Sequence, residues 1–202
     1  VTINKTITII GGSTVNPSLR STLDANGQCR IFYITEGVSV TLNNLNFING
    51  NTSYGGAIYT DSGNVTVIGS TFNNTTAGGD GGAIRCSGSL TVTNSSFTNT
   101  KATSQYGAYG GAICADYDVT VINSTFTNTT STGAGGAISG YGGSVTVTNS
   151  TFINTTAQYG GAIDGGMYSV TVVDSKFKDC KAPTGSDIYS IGTINLICND
   201  YD

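Results

Sequence analysis

Apolar and polar residues alternate along this chain in short runs, and the runs return at a nearly fixed interval. Val65-Thr66-Val67, Val145-Thr146-Val147 and Val170-Thr171-Val172 have the period of two expected of a strand with one buried face. Each run leads to a phenylalanine seven residues after its first member: Val40 to Phe47, Val65 to Phe72, Leu90 to Phe97, Val119 to Phe126, Val145 to Phe152 and Val170 to Phe177. These phenylalanines lie 25, 25, 29, 26 and 25 residues apart. Gly-Gly-Ala-Ile segments beginning at Gly55, Gly81, Gly110, Gly135 and Gly160 keep the same phase. No stretch has a helical period.

A repeat of this length marks a stacked architecture in which no unit buries its core alone. Three short strands per repeat, each stacked in parallel on its equivalents, predict an all-β fold: a single-stranded right-handed parallel β-helix of seven to eight coils, roughly 35–40 Å long. One domain is expected over residues 1–202, with an N-terminal coil and cap in 1–37, regular coils in 38–180 and a last coil and cap in 181–202. Valines, isoleucines and phenylalanines should form columns inside it, the rings in offset stacks. Two asparagine columns fall at the corners. One holds Asn44, Asn94, Asn123 and Asn149, with Gly69 and Asp174 as departures; the other holds Asn49, Asn74, Asn99, Asn128 and Asn154, ending in Asp179. Asparagine tolerates left-handed backbone at a bend, and stacked amides can bond from coil to coil. Both prolines, Pro17 and Pro183, lie outside the repeated strands, as a continuous ladder of donors requires.

Composition narrows the function. Only 10% of the residues are charged and the net charge is −4, which excludes the basic face that nucleic-acid binding needs. No apolar run is long enough to span a bilayer and no signal peptide is present, so the chain reads as a mature or excised piece. The five cysteines are Cys29, Cys86, Cys114, Cys180 and Cys198; they show no metal-binding spacing. Cys180 and Cys198, both in the last coils, are the candidate disulfide, and burial as small apolar residues is the expectation for the others. No histidine occurs, which removes His-dependent triads and His metal sites, and no cofactor is expected.

Gly-Gly-Ala-Ile together with segments such as Asn149-Ser150-Thr151-Phe152 resembles two groups of surface β-helices: the polymorphic membrane protein repeats of chlamydiae and the adhesin-like proteins of methanogenic archaea. The Phe-x-Asn spacing of Phe97-Thr98-Asn99 and Phe126-Thr127-Asn128 departs from the chlamydial FxxN, and residues 40–47 are closer to the archaeal group. The resemblance covers residues 38–180. It implies an extracellular, cell-surface location and an adhesive role, and it carries no catalytic residues.

That resemblance makes the partner an extracellular carbohydrate or a protein on another cell. The longest interval between a Phe and the next Gly-Gly contains residues 101–109, and insertions in solenoids cluster on one, often binding, face. Lys101, Gln105, Tyr106 and Tyr109 are therefore the candidate ligand-binding residues, with Tyr54 and Tyr159 in turn positions like that of Tyr109. Polysaccharide lyases and glycoside hydrolases also use β-helices, and a glycosidase needs two carboxylates facing across a cleft. The column after the Gly-Gly-Ala-Ile isoleucines reads Tyr59, Arg85, Cys114, Ser139, Asp164, and Asp116 and Asp118 follow nearby. No two carboxylates fall side by side in one column, so a non-enzymatic role is expected. Sequons at Asn51, Asn64, Asn74, Asn94, Asn123, Asn128, Asn149 and Asn154 are candidate glycosylation sites, those on the asparagine columns expected to be shielded by burial. Residues 13–26 at one end, and Lys176, Lys178, Lys181 and residues 200–202 at the other, are the expected caps. Uncapped ends would let copies stack into a filament.

Overall fold

The computed structural model describes residues 1–12 and 19–202. Part of the expected N-terminal cap, residues 13–18 with Pro17, lies outside the described residues. The chain winds into a parallel β-helix whose three main faces are sheets of eight strands each. The first sheet, here the Val sheet, stacks segments such as Val65–Ile68, Leu90–Thr93 and Val119–Ile122. The Phe sheet stacks Thr71–Asn73, Ser96–Thr98 and Thr125–Thr127. The Ile sheet carries the Gly-Gly-Ala-Ile isoleucines in Ile58–Thr60, Ile84–Cys86 and Ile113–Ala115. No helix occurs among the described residues.

The repeat register of the sequence is the register of the ladder. Phe72 pairs with Phe47 and Phe97, Phe126 with Phe97 and Phe152, and Phe152 with Phe177. The six rings are buried and nearly parallel, with centroids 4.6 to 5.0 Å apart. Tyr201 extends the stack beyond Phe177 at 5.1 Å.

Both asparagine columns turn corners in the left-handed region, with φ between 47° and 56° from Asn44 to Asn154; Asp174, Asp179 and Gly69 do the same in their places. Most other side chains would pay roughly 1–2 kcal/mol for that backbone. The amides interlock along one column: Asn99 Nδ2 donates to Asn74 Oδ1 at 3.1 Å, Asn128 to Asn99 at 3.1 Å and Asn154 to Asn128 at 2.8 Å. Asn149 donates to Asn123 at 2.8 Å in the other. These columns face outward. Asn74, Asn94, Asn123, Asn128, Asn149 and Asn154 are exposed, so the expectation that burial shields their sequons is corrected. A left-handed corner residue projects its side chain away from the coil, and what engages most of these amides is the neighbouring amide. The sequons at Asn51 and Asn64 are also exposed.

Two features go beyond the expected pattern. A fourth, short sheet of four strands (Asn51–Thr52, Thr76–Ala77, Lys101–Ala102 and Thr130–Ser131) follows the second asparagine corner. Lys101 is thus a strand residue, and the loop proper starts after Ala102. Inside the first corner runs a serine ladder. The backbone N–H groups of Ser70, Ser95, Ser124 and Ser150 donate to the Oγ of Ser95, Ser124, Ser150 and Ser175, at 3.1 to 3.2 Å. Each hydroxyl donates in turn to the carbonyl two residues upstream, as Ser124 does to Ile122 at 2.8 Å. These bonds satisfy buried backbone donors at the bend, where strand pairing lapses.

Cys180 and Cys198 are unpaired thiols, against the expected disulfide. Cys198 is exposed and left-handed, in the corner column after Asp174, because Ile197 pairs with Val173. Cys180 is buried at the next corner, the inward place that Thr155 holds one coil earlier. The Phe-sheet strand Lys176–Lys178 lies between the two positions. Cys86 and Cys114 are buried as expected, whereas Cys29 is exposed.

Candidate functional site

Alternation along the Ile-sheet strands sends each isoleucine inward and the next residue outward. The outward residues form a single column in register: Tyr33, Tyr59, Arg85, Cys114, Ser139, Asp164 and Tyr189. Tyrosines rise on both sides of this column. Tyr54, Tyr109 and Tyr159 each stand immediately before a Gly-Gly pair, and Tyr117, Tyr141 and Tyr168 follow the strands. Tyr109 and Tyr159 flank Ala134 through consecutive parallel bridges, which fixes one wall.

The small residues Cys114 and Ser139 leave room above the floor for the walls to close. Tyr109 and Tyr141 meet edge to face there, with ring centroids 5.2 Å apart and planes at 67°. Both floor residues are buried as a result. Beyond this closure lies a groove of about 630 Å³, lined by Tyr109, Tyr141, Tyr159, Tyr168 and Tyr189, with Met167 and Ile191 at its edge. Tyr159 and Tyr189 pack at 5.4 Å. Tyr141 remains 58% exposed and Tyr168 47%, so ring faces are open to solvent.

Asp164 is in the floor of this groove and only 4% exposed. Its Oδ2 accepts from Ser139 Oγ at 3.1 Å and its Oδ1 from the Gly166 N–H at 3.1 Å. Burial pushes its carboxyl above the usual range, and the bonds from Gly166 and Ser139 oppose that shift. Burial likewise raises the Tyr109 phenol.

The other end of the column carries the ion pairs of Arg85, a cation–π contact and a tyrosine–carboxylate hydrogen bond. Arg85 donates to Asp116 Oδ1 at 2.7 Å and stands 3.9 Å from Asp80. Arg30 covers the Tyr59 ring at 4.7 Å and donates to the Tyr54 carbonyl at 2.6 Å, and the Tyr33 hydroxyl donates to Asp61. Burial pushes the Cys86 thiol up to about 11 and raises that of Cys114, so both stay protonated and unreactive.

The four residues expected to form a loop site are not brought together. Tyr109 is in the groove wall. Gln105 is exposed, and Tyr106 projects into solvent at 90% exposure. Lys101 lines a separate polar furrow of about 450 Å³ with Asn74, Asn99, Asn128 and Asn154. Tyr141, Tyr168 and Tyr189 were missed. Their signal is the Tyr-Gly-Gly-Ala-Ile repeat at Tyr54, Tyr109 and Tyr159, read together with tyrosines recurring after the strands. Among the described residues no group of three or more Cys, Asp or Glu could hold a metal ion, and no helix is long and apolar enough to cross a membrane.

The chain belongs to the right handed beta helix region family, whose model matches residues 20–200. No curated protein and no solved structure matches it. The family defines the right-handed β-helix, a fold compatible with adhesin-like and with enzyme roles alike.

Proposed function

We propose that this β-helix is a non-enzymatic, adhesin-like module of the cell surface that binds an extracellular glycan in the tyrosine groove. The observation that carries this reading is the set of five tyrosines around a groove with a single carboxyl in its floor. Sugars present C–H faces that stack on such rings and hydroxyls that bond to phenols and carboxylates. The placement of the acids supports binding without hydrolysis. Asp164 has no second carboxylate beside it in the groove. Asp116 is two coils away, roughly 10 Å down the stack before any lateral offset, and it is tied to Arg85. Glycoside hydrolysis uses two carboxyl groups about 5–9.5 Å apart, flanking one bond.

An array of oligosaccharides, followed by calorimetric titration of those that bind, tests this reading. Tyr141→Ala combined with Tyr168→Ala should weaken binding at least about fivefold, since each lost ring removes about 0.5–1.5 kcal/mol of stacking. Tyr106→Ala should leave affinity unchanged. Full binding by the double variant would sink the groove.

A second reading is end-to-end stacking into a filament, favoured by the last coil. Its strand Ile194–Ile197 is exposed throughout, and Tyr201 leaves the ring column open at 43% exposure. Light scattering over a concentration series should show growth if copies stack; a constant mass rejects it.

A further inference from the structure

The groove has a charge asymmetry that narrows its ligand. Asp164 is the single charged residue among those lining it, and no Lys or Arg lines it. An ionised carboxylate offers about four acceptor sites. Ser139 and Gly166 occupy one on each oxygen, leaving acceptor capacity on a side chain that water reaches poorly. The rest of the column does not offset this charge, because Arg85 is already neutralised by Asp80 and Asp116. An acidic sugar over Asp164 would face a desolvated like charge with no cation to relieve it. An ammonium there would form a charge-assisted bond in a sheltered site, roughly twice as strong as a neutral one.

We propose that the groove selects an amino-sugar glycan, the sugar residue above Asp164 carrying a free protonated amine held by that carboxylate while the tyrosines stack on the ring faces. This rests on the glycan-binding reading above and assigns its chemical class. Deacetylated amino sugars should therefore bind best, their N-acetylated counterparts less well because the amide carries no charge, and uronates worst.

Calorimetric titration of the intact chain with three tetramers tests the selection: β-1,4-linked glucosamine, its N-acetylated form and galacturonate. The free-amine tetramer should bind at least about tenfold tighter than the acetylated one, the ratio expected for a hydrogen bond to a charged group, and galacturonate should not bind. Asp164→Asn should abolish that preference, bringing the affinities for the free-amine and acetylated tetramers within about twofold of each other. The wild-type comparison stands by itself if the variant fails to fold. Equal affinity for the first two tetramers, or preference for galacturonate, overturns the selection and leaves the groove as a glycan site. Binding of none of the three overturns the amino-sugar selection, and the oligosaccharide array then decides the groove. An oligolysine peptide that binds as tightly as the glucosamine tetramer overturns the sugar assignment.

Discussion

Gly136→Ala should destabilise the solenoid by at least about 4 kcal/mol, a loss in the exceptional range for one substitution. A Cβ at this position would lie 1.9 Å from the Gly161 carbonyl oxygen and 2.7 Å from the Thr156 nitrogen, both backbone atoms of the next coil. Neither can retreat without breaking its ladder. The same contact recurs along the column, at 2.0 Å from Gly82 to Gly111 O, from Gly111 to Gly136 O and from Gly161 to Ser186 O. The first glycine of each pair serves a different need. Gly55, Gly81, Gly110, Gly135 and Gly160 have φ between 57° and 67°, a conformation costly for L side chains. The pair is thus a turn followed by a close approach, and both halves exclude a side chain. Urea unfolding of Gly136→Ala against Gly78→Ala is the measurement. At Gly78 the nearest atom to an added Cβ is 3.9 Å away, so that variant should change stability by no more than about 0.5 kcal/mol. Equal, small effects at both sites would show that the coils do not touch through the second glycine.

Such a contact also explains why so much of the fold was legible in the sequence. A solenoid imposes the same local demand on every turn, so each demand appears as a column: phenylalanine where the ring stack passes, asparagine at left-handed corners, Gly-Gly where backbone meets backbone. Columns filled by one residue type could be read directly. The serine ladder occupies a single column too, at Ser70, Ser95, Ser124, Ser150 and Ser175, but serine is so common in turns that the column did not stand out. The short sheet was hidden for another reason: its two-residue strands, Thr76–Ala77 and Lys101–Ala102, are too brief for alternation to show.

The candidate site was less legible because it does not follow one column. Its walls come from turns before and after the Ile-sheet strands, and its floor from the strands themselves. Tyr109 and Tyr141 are 5.2 Å apart in space yet belong to successive coils and opposite flanks. The insertion at residues 101–109 drew attention to Tyr106 by its length alone, whereas the turn ending that insertion delivers only Tyr109 to the groove. Asp164 stood in the right column in the sequence, but whether it was a solvated turn residue or a buried carboxyl depended on the rings around it.

Phe126→Ala should cost about 3–5 kcal/mol, the range for emptying a buried aromatic site. Phe126 is fully buried and stacks on Phe97 at 4.8 Å and on Phe152 at 5.0 Å, so truncation removes two ring contacts and opens a gap in the middle of the column. Its strand, Thr125–Thr127, pairs only with the coils on either side. In a structure of nearest-neighbour contacts the damage stays local in space yet spreads in cooperativity, because the coils on each side lose the interface that makes them unfold together. Denaturant unfolding of the wild type should be a single transition. In Phe126→Ala the midpoint should fall, and the transition should broaden or divide as the two halves of the column uncouple. A near-neutral change in midpoint would refute the ring register. A large but still single, sharp transition would mean that the Val and Ile columns couple the coils without help from the rings.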